Sequence, residues 1–327
     1  MTATTADSTT RVAVLDDYQE VAEQLADWQS LPERVRVDFF HDHLDDHDAL
    51  VARLEPYDVV VLMRERTPMP RSLIARLPRL KLLVTTGMRN ASLDLAAARD
   101  HGVTVCGTPG GTPGTVELAW GLIIAVARHL PAEDAALRQG RWQHTIGTDL
   151  ARSTLGLLGL GRLGSAMVPV ARAFGMETIA WSQNLTAEVA ASKGATYVTK
   201  DELFARSDFL SIHLVLSDRT RGLVGRSELA LMKPTAYLIN TSRGPIVDDS
   251  ALVDALTSGQ LAGAGLDVYS HEPLPPDHPL LRAPNTVLTP HIGFVTRQTY
   301  ETWYAGAVEA IAAYLAGQPI HVLTQPA

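Results

Sequence analysis

Thr154-Leu-Gly-Leu-Leu-Gly-Leu-Gly-Arg-Leu-Gly-Ser165 is the stretch around which this chain is organised. A short apolar run breaks into Gly159-x-Gly161-x-x-Gly164 and passes into an Ala-rich amphipathic segment that runs to Phe174. The pattern is strand, glycine turn, helix. Gly159 permits the tight turn, Gly161 lets backbone come close to a pyrophosphate, and Gly164 lets the helix pack on the strand. The new helix would aim its unpaired N–H groups and the positive end of its dipole at phosphates. Three glycines alone also fit a purely structural turn. The flanks favour the nucleotide reading, because Thr178-Ile-Ala-Trp181 follows as the next strand. The fingerprint begins near the middle of the chain, so about half the protein precedes it.

A chain of 327 residues exceeds one typical core and predicts two domains. Hydrophobic residues make up 46% and charged residues 20%, enough to bury large cores. A formal charge of −8 with scattered Lys and Arg argues against nucleic acid as a partner. The single cysteine, Cys106, excludes an internal disulfide framework and sits in the apolar run Val103-Thr-Val-Cys106, which reads as a buried, inert thiol. No segment approaches the roughly 18 apolar residues of a membrane span. Met1–Thr10 lacks the basic and apolar regions of a signal peptide and reads as a short disordered tail. A cytoplasmic location, no membrane and no metal site are therefore expected.

Before the fingerprint, apolar strand-like runs alternate with helical patterns. The runs are Arg11–Leu15, Val35–Phe40, Val59–Met63, Leu80–Val84 and Val103–Cys106, with a helix-like stretch around Val21–Trp28. Five such units predict a parallel, doubly wound sheet of flavodoxin-like type. No glycine fingerprint follows any of them, so this half does not hold the dinucleotide. Gly107-Thr-Pro-Gly-Gly-Thr-Pro-Gly114 is a dense turn and hinge signal, and Thr115–Leu130 reads as one buried helix. A polar, less regular stretch, Arg138–Arg152, leads into the fingerprint. After it, strands are expected at Thr178–Trp181, Phe209–His213, Ala236–Asn240, Gly263–Val268 and Thr286–Thr289, which makes six with the fingerprint strand. A last helix, Thr296–Leu315, is expected to return to the first domain. The expected organisation is a substrate domain of residues 1–110 and 296–327, with a Rossmann-type NAD(P)-binding domain of residues 111–295 inserted into it and a cleft between the two.

Three polar sites follow predicted strands, where this architecture places ligands. Arg243, in Asn240-Thr-Ser-Arg-Gly-Pro-Ile-Val-Asp248, can offer a fixed fork of donors to a carboxylate, though alone it reads equally as a surface arginine. Glu272 follows Leu266-Asp-Val-Tyr-Ser-His271, and His291 lies in Leu288-Thr-Pro-His-Ile-Gly293. Histidine can take or give a proton near neutral pH, and a carboxylate on its far nitrogen fixes the tautomer. An Arg, a Glu and a His after three strands of one nucleotide-binding sheet form a candidate catalytic set.

With these motifs in order, the chain resembles the D-isomer-specific 2-hydroxyacid dehydrogenase family, the group of phosphoglycerate dehydrogenases and glyoxylate/hydroxypyruvate reductases. The likeness runs from about Leu80 to the C-terminus; the first 75 residues match in pattern only. It rests on the Gly87 loop, Thr108-Pro-Gly-Gly111, Gly159-x-Gly-x-x-Gly164, Asn240-x-x-Arg-Gly244, Asp267-Val268 with Glu272-Pro273, and Thr289-Pro-His-Ile-Gly293. The resemblance implies that Arg243 binds the substrate carboxylate and polarises the carbonyl. His291 would be the acid in reduction and the base in oxidation, held by Glu272. Backbone N–H groups of Gly87-Met88-Arg89-Asn90 would cradle the carboxylate, with Arg64, and less so Arg66, facing the same cleft. Gly159, Gly161, Arg162, Leu163 and Gly164 would meet the pyrophosphate, and His213, Leu214, Thr241, Asp267 and Gly293 match further cofactor positions. The family's usual state implies a homodimer through Thr115–Leu130 and the arm to Arg152.

Departures from the family pattern concern specificity. Ser182, in Trp181-Ser-Gln-Asn184, stands where the family has an Asp for the ribose 2′-OH. Its loss removes the repulsion that excludes a 2′-phosphate, yet no adjacent arginine supplies a charge partner, which leaves NAD or NADP open. The proline usual soon after His213 is absent in Leu214-Val-Leu216, a departure from the family's adenine-pocket pattern. Phe294 replaces a small residue, and Met88 and Arg89 sit in the substrate loop, so all three could reshape the pocket. The chain ends 36 residues past His291, so no appended regulatory domain is expected. The leading expectation is reduction of a small 2-keto acid such as glyoxylate, hydroxypyruvate or pyruvate to the D-2-hydroxy acid. The alternatives are a dinucleotide-sensing protein like the family's corepressors, or a phosphite or formate dehydrogenase on the same scaffold. Glu272 argues against formate, whose enzymes lack that residue.

Overall fold

A computed structural model describes residues 9–111 and 113–324. Met1–Ser8 of the expected tail and Thr112 of the hinge lie outside them. The described residues before Pro113 and from Thr296 onward form one compact unit, and Pro113–Val295 form a second.

The first unit opens with β1 (Thr10–Val14), β2 (Val35–Phe39), β3 (Val59–Leu62), β4 (Leu82–Thr85) and β5 (Thr104–Gly107). The three middle strands β3, β4 and β5 are buried on both faces, which is why they read as unbroken apolar runs. The stretch around Val21–Trp28 is not a helix. It forms two single 3-10 turns, Ala22–Gln24 and Trp28–Ser30, because Asp17 accepts from the N–H groups of Val21 and Ala22 and Trp28 is pulled inward by its indole bond to the Ala22 carbonyl. These side-chain bonds replace the helical ladder.

The second unit begins with a buried helix, Gly114–Ala127, which packs on three strands of its sheet. The single helix expected to reach Leu130 stops at Ala127: His129 is left-handed at φ +51°, and Pro131 starts a new helix, Leu130–Arg138. The strands are β6 (Thr154–Leu158), β7 (Glu177–Trp181), β8 (Thr196–Tyr197), β9 (Phe209–Ile212), β10 (Tyr237–Asn240), β11 (Gly263–Leu266) and β12 (Thr286–Leu288). The sheet is parallel in the order β12-β11-β10-β9-β6-β7-β8, a Rossmann-type arrangement in which the strand order reverses beside β6. The two-residue β8 makes seven strands where six were expected; both of its residues are exposed, so no apolar run marks it.

The chain returns to the first unit with the helix Arg297–Leu315, capped by the Thr296 hydroxyl and packed on β4 and β5 through a face that includes Trp303, Tyr304 and Ala307. β13 (Val322–Thr324) then adds an antiparallel edge, giving the order β13-β5-β4-β3-β1-β2. Cys106 lies in β5 with no exposure, and burial pushes its thiol up to about 11, so it stays protonated and inert.

Candidate active site

The strand order of the second unit sets the candidate residues along one edge. Reading across the carboxyl ends, His291 follows β12, Asp267 and Glu272 follow β11, Arg243 follows β10, His213 follows β9, the glycine turn follows β6 and Ser182 follows β7.

At one end, His291 Nδ1 lies 2.5 Å from Glu272 Oε2, with the two side chains 24% and 33% exposed. The pair is therefore tightly joined yet open to a small molecule. Nδ1 faces the carboxylate, which leaves Nε2 as the nitrogen for chemistry. The other oxygen of Glu272 accepts from the Tyr269 N–H at 2.8 Å. The Tyr269 hydroxyl donates to the carbonyls of Thr289 (3.0 Å) and Leu266 (3.3 Å). Gly244, next to Arg243, sits so close that a Cβ there would fall 1.9 Å from the Tyr269 carbonyl carbon. Tyr269 thus touches the supports of all three candidate catalytic residues, a role that nothing in its sequence position signals.

His291 itself is left-handed, at φ +54°. Such backbone costs free energy and persists only where the surroundings over-determine it. Here Asp267 does so. It is 1% exposed, and it accepts from the Thr289 hydroxyl (2.6 Å) and from the N–H groups of Ile292 and Gly293 (2.8 Å each), bracketing His291 on both sides. Burial raises the Asp267 carboxyl despite these bonds. The ring of Phe294 stands edge-on to His291, 5.5 Å between centroids.

Arg243 is half-buried, and its loop is tied by Asn240, which donates to the Arg243 carbonyl and accepts from the Ser242 N–H. The Ser242 hydroxyl reaches over to the Leu214 carbonyl, linking the loops after β9 and β10. His213 pairs with the Ser211 hydroxyl at 2.9 Å, and burial pushes it down to about 4, so it is neutral at physiological pH.

The glycine turn fits a dinucleotide. Gly159 has φ +107°, and a Cβ there would lie 2.6 Å from the His213 carbonyl oxygen; at Gly164 it would lie 2.1 Å from the Gly159 carbonyl oxygen. Both are fixed by the chain's own packing. At Gly161, a Cβ would meet nothing within 4 Å, so no internal contact requires glycine there. Gly161 begins the helix Arg162–Ala173 with no side-chain cap. The Thr241 hydroxyl is buried without a hydrogen-bond partner among the described residues. An open approach, an uncapped helix start and an orphaned hydroxyl on one edge suit a phosphate-bearing ligand.

A match to the model of the D-isomer-specific 2-hydroxyacid dehydrogenase NAD-binding domain covers residues 120–293. A glyoxylate reductase of Aeropyrum pernix is 41% identical over 256 residues, covering 75% of this chain and 76% of that one. The chain belongs to the D-isomer-specific 2-hydroxyacid dehydrogenase family. A D-3-phosphoglycerate dehydrogenase of Methanocaldococcus jannaschii is 36% identical over 275 residues, which span 83% of this dehydrogenase and 52% of that protein. The crystal structure of a phosphoglycerate oxidoreductase from Vibrio cholerae superposes with a TM-score of 0.89 at 36% identity, over 94% of this chain and 99% of that one. The family model identifies a nicotinamide dinucleotide as the cofactor.

The remaining expected residues of the dehydrogenase lie in the first unit. Arg64 is left-handed at φ +55° and donates to the carbonyls of Thr86 and Arg89 at 3.1 Å each, so its guanidinium lies on the Gly87 loop. Its side chain also passes over the Trp303 ring at 5.7 Å. The Gly87 N–H donates to the Thr108 hydroxyl and is not available as a carboxylate cradle. The Asn90 side chain is spent on the loop itself: it donates to the Arg64 carbonyl and Thr85 hydroxyl and accepts from the Ser92 N–H and hydroxyl. Met88 and Arg89 are exposed at the loop tip. Arg66 donates to the Asp16 carbonyl at 2.7 Å and lies 4.3 Å over the Tyr18 ring, so it serves the loop after β1.

Proposed function

We propose that this chain reduces a small 2-keto acid to its D-2-hydroxy acid with NAD(P)H, the first unit serving as substrate domain and the second as cofactor domain. The Glu272–His291 pair at 2.5 Å, on the sheet edge that also carries the glycine turn, is the observation that carries this reading. The glyoxylate reductase of Aeropyrum pernix supports glyoxylate as the first acid to try.

The nicotinamide, when bound, supplies or accepts a hydride at the keto carbon. Gly159, Gly161, Arg162, Leu163 and Gly164 would hold the pyrophosphate, and His213, Leu214, Thr241, Asp267 and Gly293 would serve the rest of the cofactor. Arg243 offers its planar fork to the acid's carboxylate and draws electron density from the carbonyl. His291 Nε2 gives a proton to the carbonyl oxygen as the carbon is reduced, and takes it back from the hydroxyl in the reverse direction. Glu272 holds Nδ1 and keeps Nε2 outward. Arg64 and the N–H groups of Met88, Arg89 and Asn90 serve carboxylate recognition in the first unit.

The test is the loss of reduced-nicotinamide absorbance with glyoxylate, hydroxypyruvate, pyruvate and phenylpyruvate, using NADH and NADPH in turn. Turnover with at least one acid is expected. No turnover with any, alongside tight dinucleotide binding, would instead identify a sensing protein.

The chain also acts as a homodimer. Leu130, Leu137, Trp142 and Ile146 expose large apolar side chains along one segment of the second unit, Ile146 at 93%. Such a run is costly in water and reads as a buried interface. Light scattering should give the mass of two chains, falling to one in the double variant Trp142→Glu, Ile146→Glu; a monomeric wild type would contradict the assignment.

A further inference from the structure

The corner between β6 and β7 contains a cation that the sequence around Ser182 did not reveal. Leu158 and Trp181 are register partners, and the Gly159 N–H donates to the Trp181 carbonyl at 2.9 Å, so Ser182 begins beside the first fingerprint glycine. The Ser182 carbonyl accepts from the Leu185 N–H at 3.0 Å, which folds Ser182–Leu185 into a turn free of carboxylates. Lys193 follows the helix Ala187–Ser192, and its side chain comes back to this corner: the ammonium donates to the Leu160 carbonyl at 2.7 Å. Leu160 is the residue between Gly159 and Gly161. Lysine has three donors, and this bond uses one.

We propose that Lys193 recognises a 2′-phosphate on the adenosine ribose, so that this chain prefers NADP(H) to NAD(H). The inference rests on the reading that the glycine turn holds a dinucleotide. An acid at the end of β7 would bind the ribose 2′-OH and repel a 2′-phosphate. Ser182 removes that repulsion and supplies a hydroxyl donor. A serine alone gives no charge partner; Lys193 gives one, eleven residues later in sequence but anchored to the fingerprint turn itself. A bond from an ammonium to a phosphate oxygen is charge-assisted, and its loss is expected to change affinity by about tenfold or more. The ordinary structural role of Lys193, tying a helix end to the turn, predicts a different result, because loosening the turn would weaken every adenine nucleotide alike.

The test uses the full chain and isothermal titration with adenosine 2′,5′-bisphosphate against 5′-AMP. The wild type should bind the bisphosphate about tenfold more tightly or better, and the preference should shrink as salt is raised. Lys193→Met should abolish the preference while leaving 5′-AMP affinity unchanged, Lys193→Arg should retain it, and Ser182→Asp should lose it through repulsion. Equal wild-type affinities, or a Lys193→Met variant weakened for both probes, would overturn the proposal. Neither measurement needs turnover. A 2′-phosphate preference in a chain that reduces no 2-keto acid keeps Lys193 and removes the activity; turnover with no such preference does the reverse.

Discussion

His291→Ala is expected to lower keto-acid reduction by about 10²–10⁴-fold, the usual worth of a positioned general acid, while dinucleotide binding followed by protein fluorescence stays unchanged. The side chain meets Glu272 through Nδ1 and Phe294 through its ring, and it lies at the opposite end of the sheet edge from Ser182. Its removal therefore takes away the proposed proton donor without touching the glycine turn. Because residue 291 is left-handed, alanine adds backbone strain to the loss of chemistry. His291→Asn separates the two, since asparagine tolerates that region. Both variants should be equally inactive. Wild-type kcat in either would remove His291 from proton transfer.

The second large effect divides the fingerprint into packing and binding. Gly164→Ala places a Cβ 2.1 Å from a backbone oxygen, and no side-chain rotation relieves that contact. The helix Arg162–Ala173 must lift from β6, an overpacking cost of about 1–3 kcal/mol or more, so Tm should fall by several degrees. Gly161→Ala meets nothing within 4 Å and has an extended backbone that any residue adopts. Its Tm should hold at the wild-type value, while NADPH affinity falls by about tenfold or more as the methyl fills the approach to the turn. Thermal scans with and without NADPH read both quantities. A Gly161→Ala variant that binds NADPH as the wild type does would mean the open space at Gly161 serves no ligand.

Fold and site were legible to different depths for physical reasons. The doubly buried strands β3, β4, β5, β9, β10 and β11 announce themselves as apolar runs, and the glycine turn fixes where the nucleotide-binding sheet begins. Short or half-exposed strands gave no such pattern: β8 has two exposed residues and β13 three half-buried ones. Helical spacing around Val21–Trp28 misled because Asp17 captures the N–H groups that a helix would use. The helix through Thr115–Leu130 looked continuous because a left-handed His129 leaves no mark on hydrophobic periodicity.

At the site, Arg243, Glu272 and His291 could be named because each follows a readable strand. The bond that joins Glu272 to His291 is a matter of loop geometry. The Asn90 side chain ties its loop to the Arg64 carbonyl and the Thr85 hydroxyl, partners that no residue pattern encodes. Tyr269 and Lys193 leave no mark in the sequence for the same reason: each bonds to a backbone carbonyl distant in sequence, and no residue pattern encodes such a partner.

Transfer of a hydride to the keto carbon of a 2-keto acid beside the Glu272–His291 pair leaves an isotopic mark on the product. Incubation with NADPH, or NADH, carrying deuterium at the transferable C4 position, with pyruvate as acceptor, tests it most directly. Mass spectrometry and chiral chromatography should find D-lactate with one deuterium at C2 from the wild type, formed about 10²–10⁴-fold more slowly by His291→Asn. Unlabelled lactate, the L isomer, or labelled product formed equally fast by both proteins would rule out this hydride transfer.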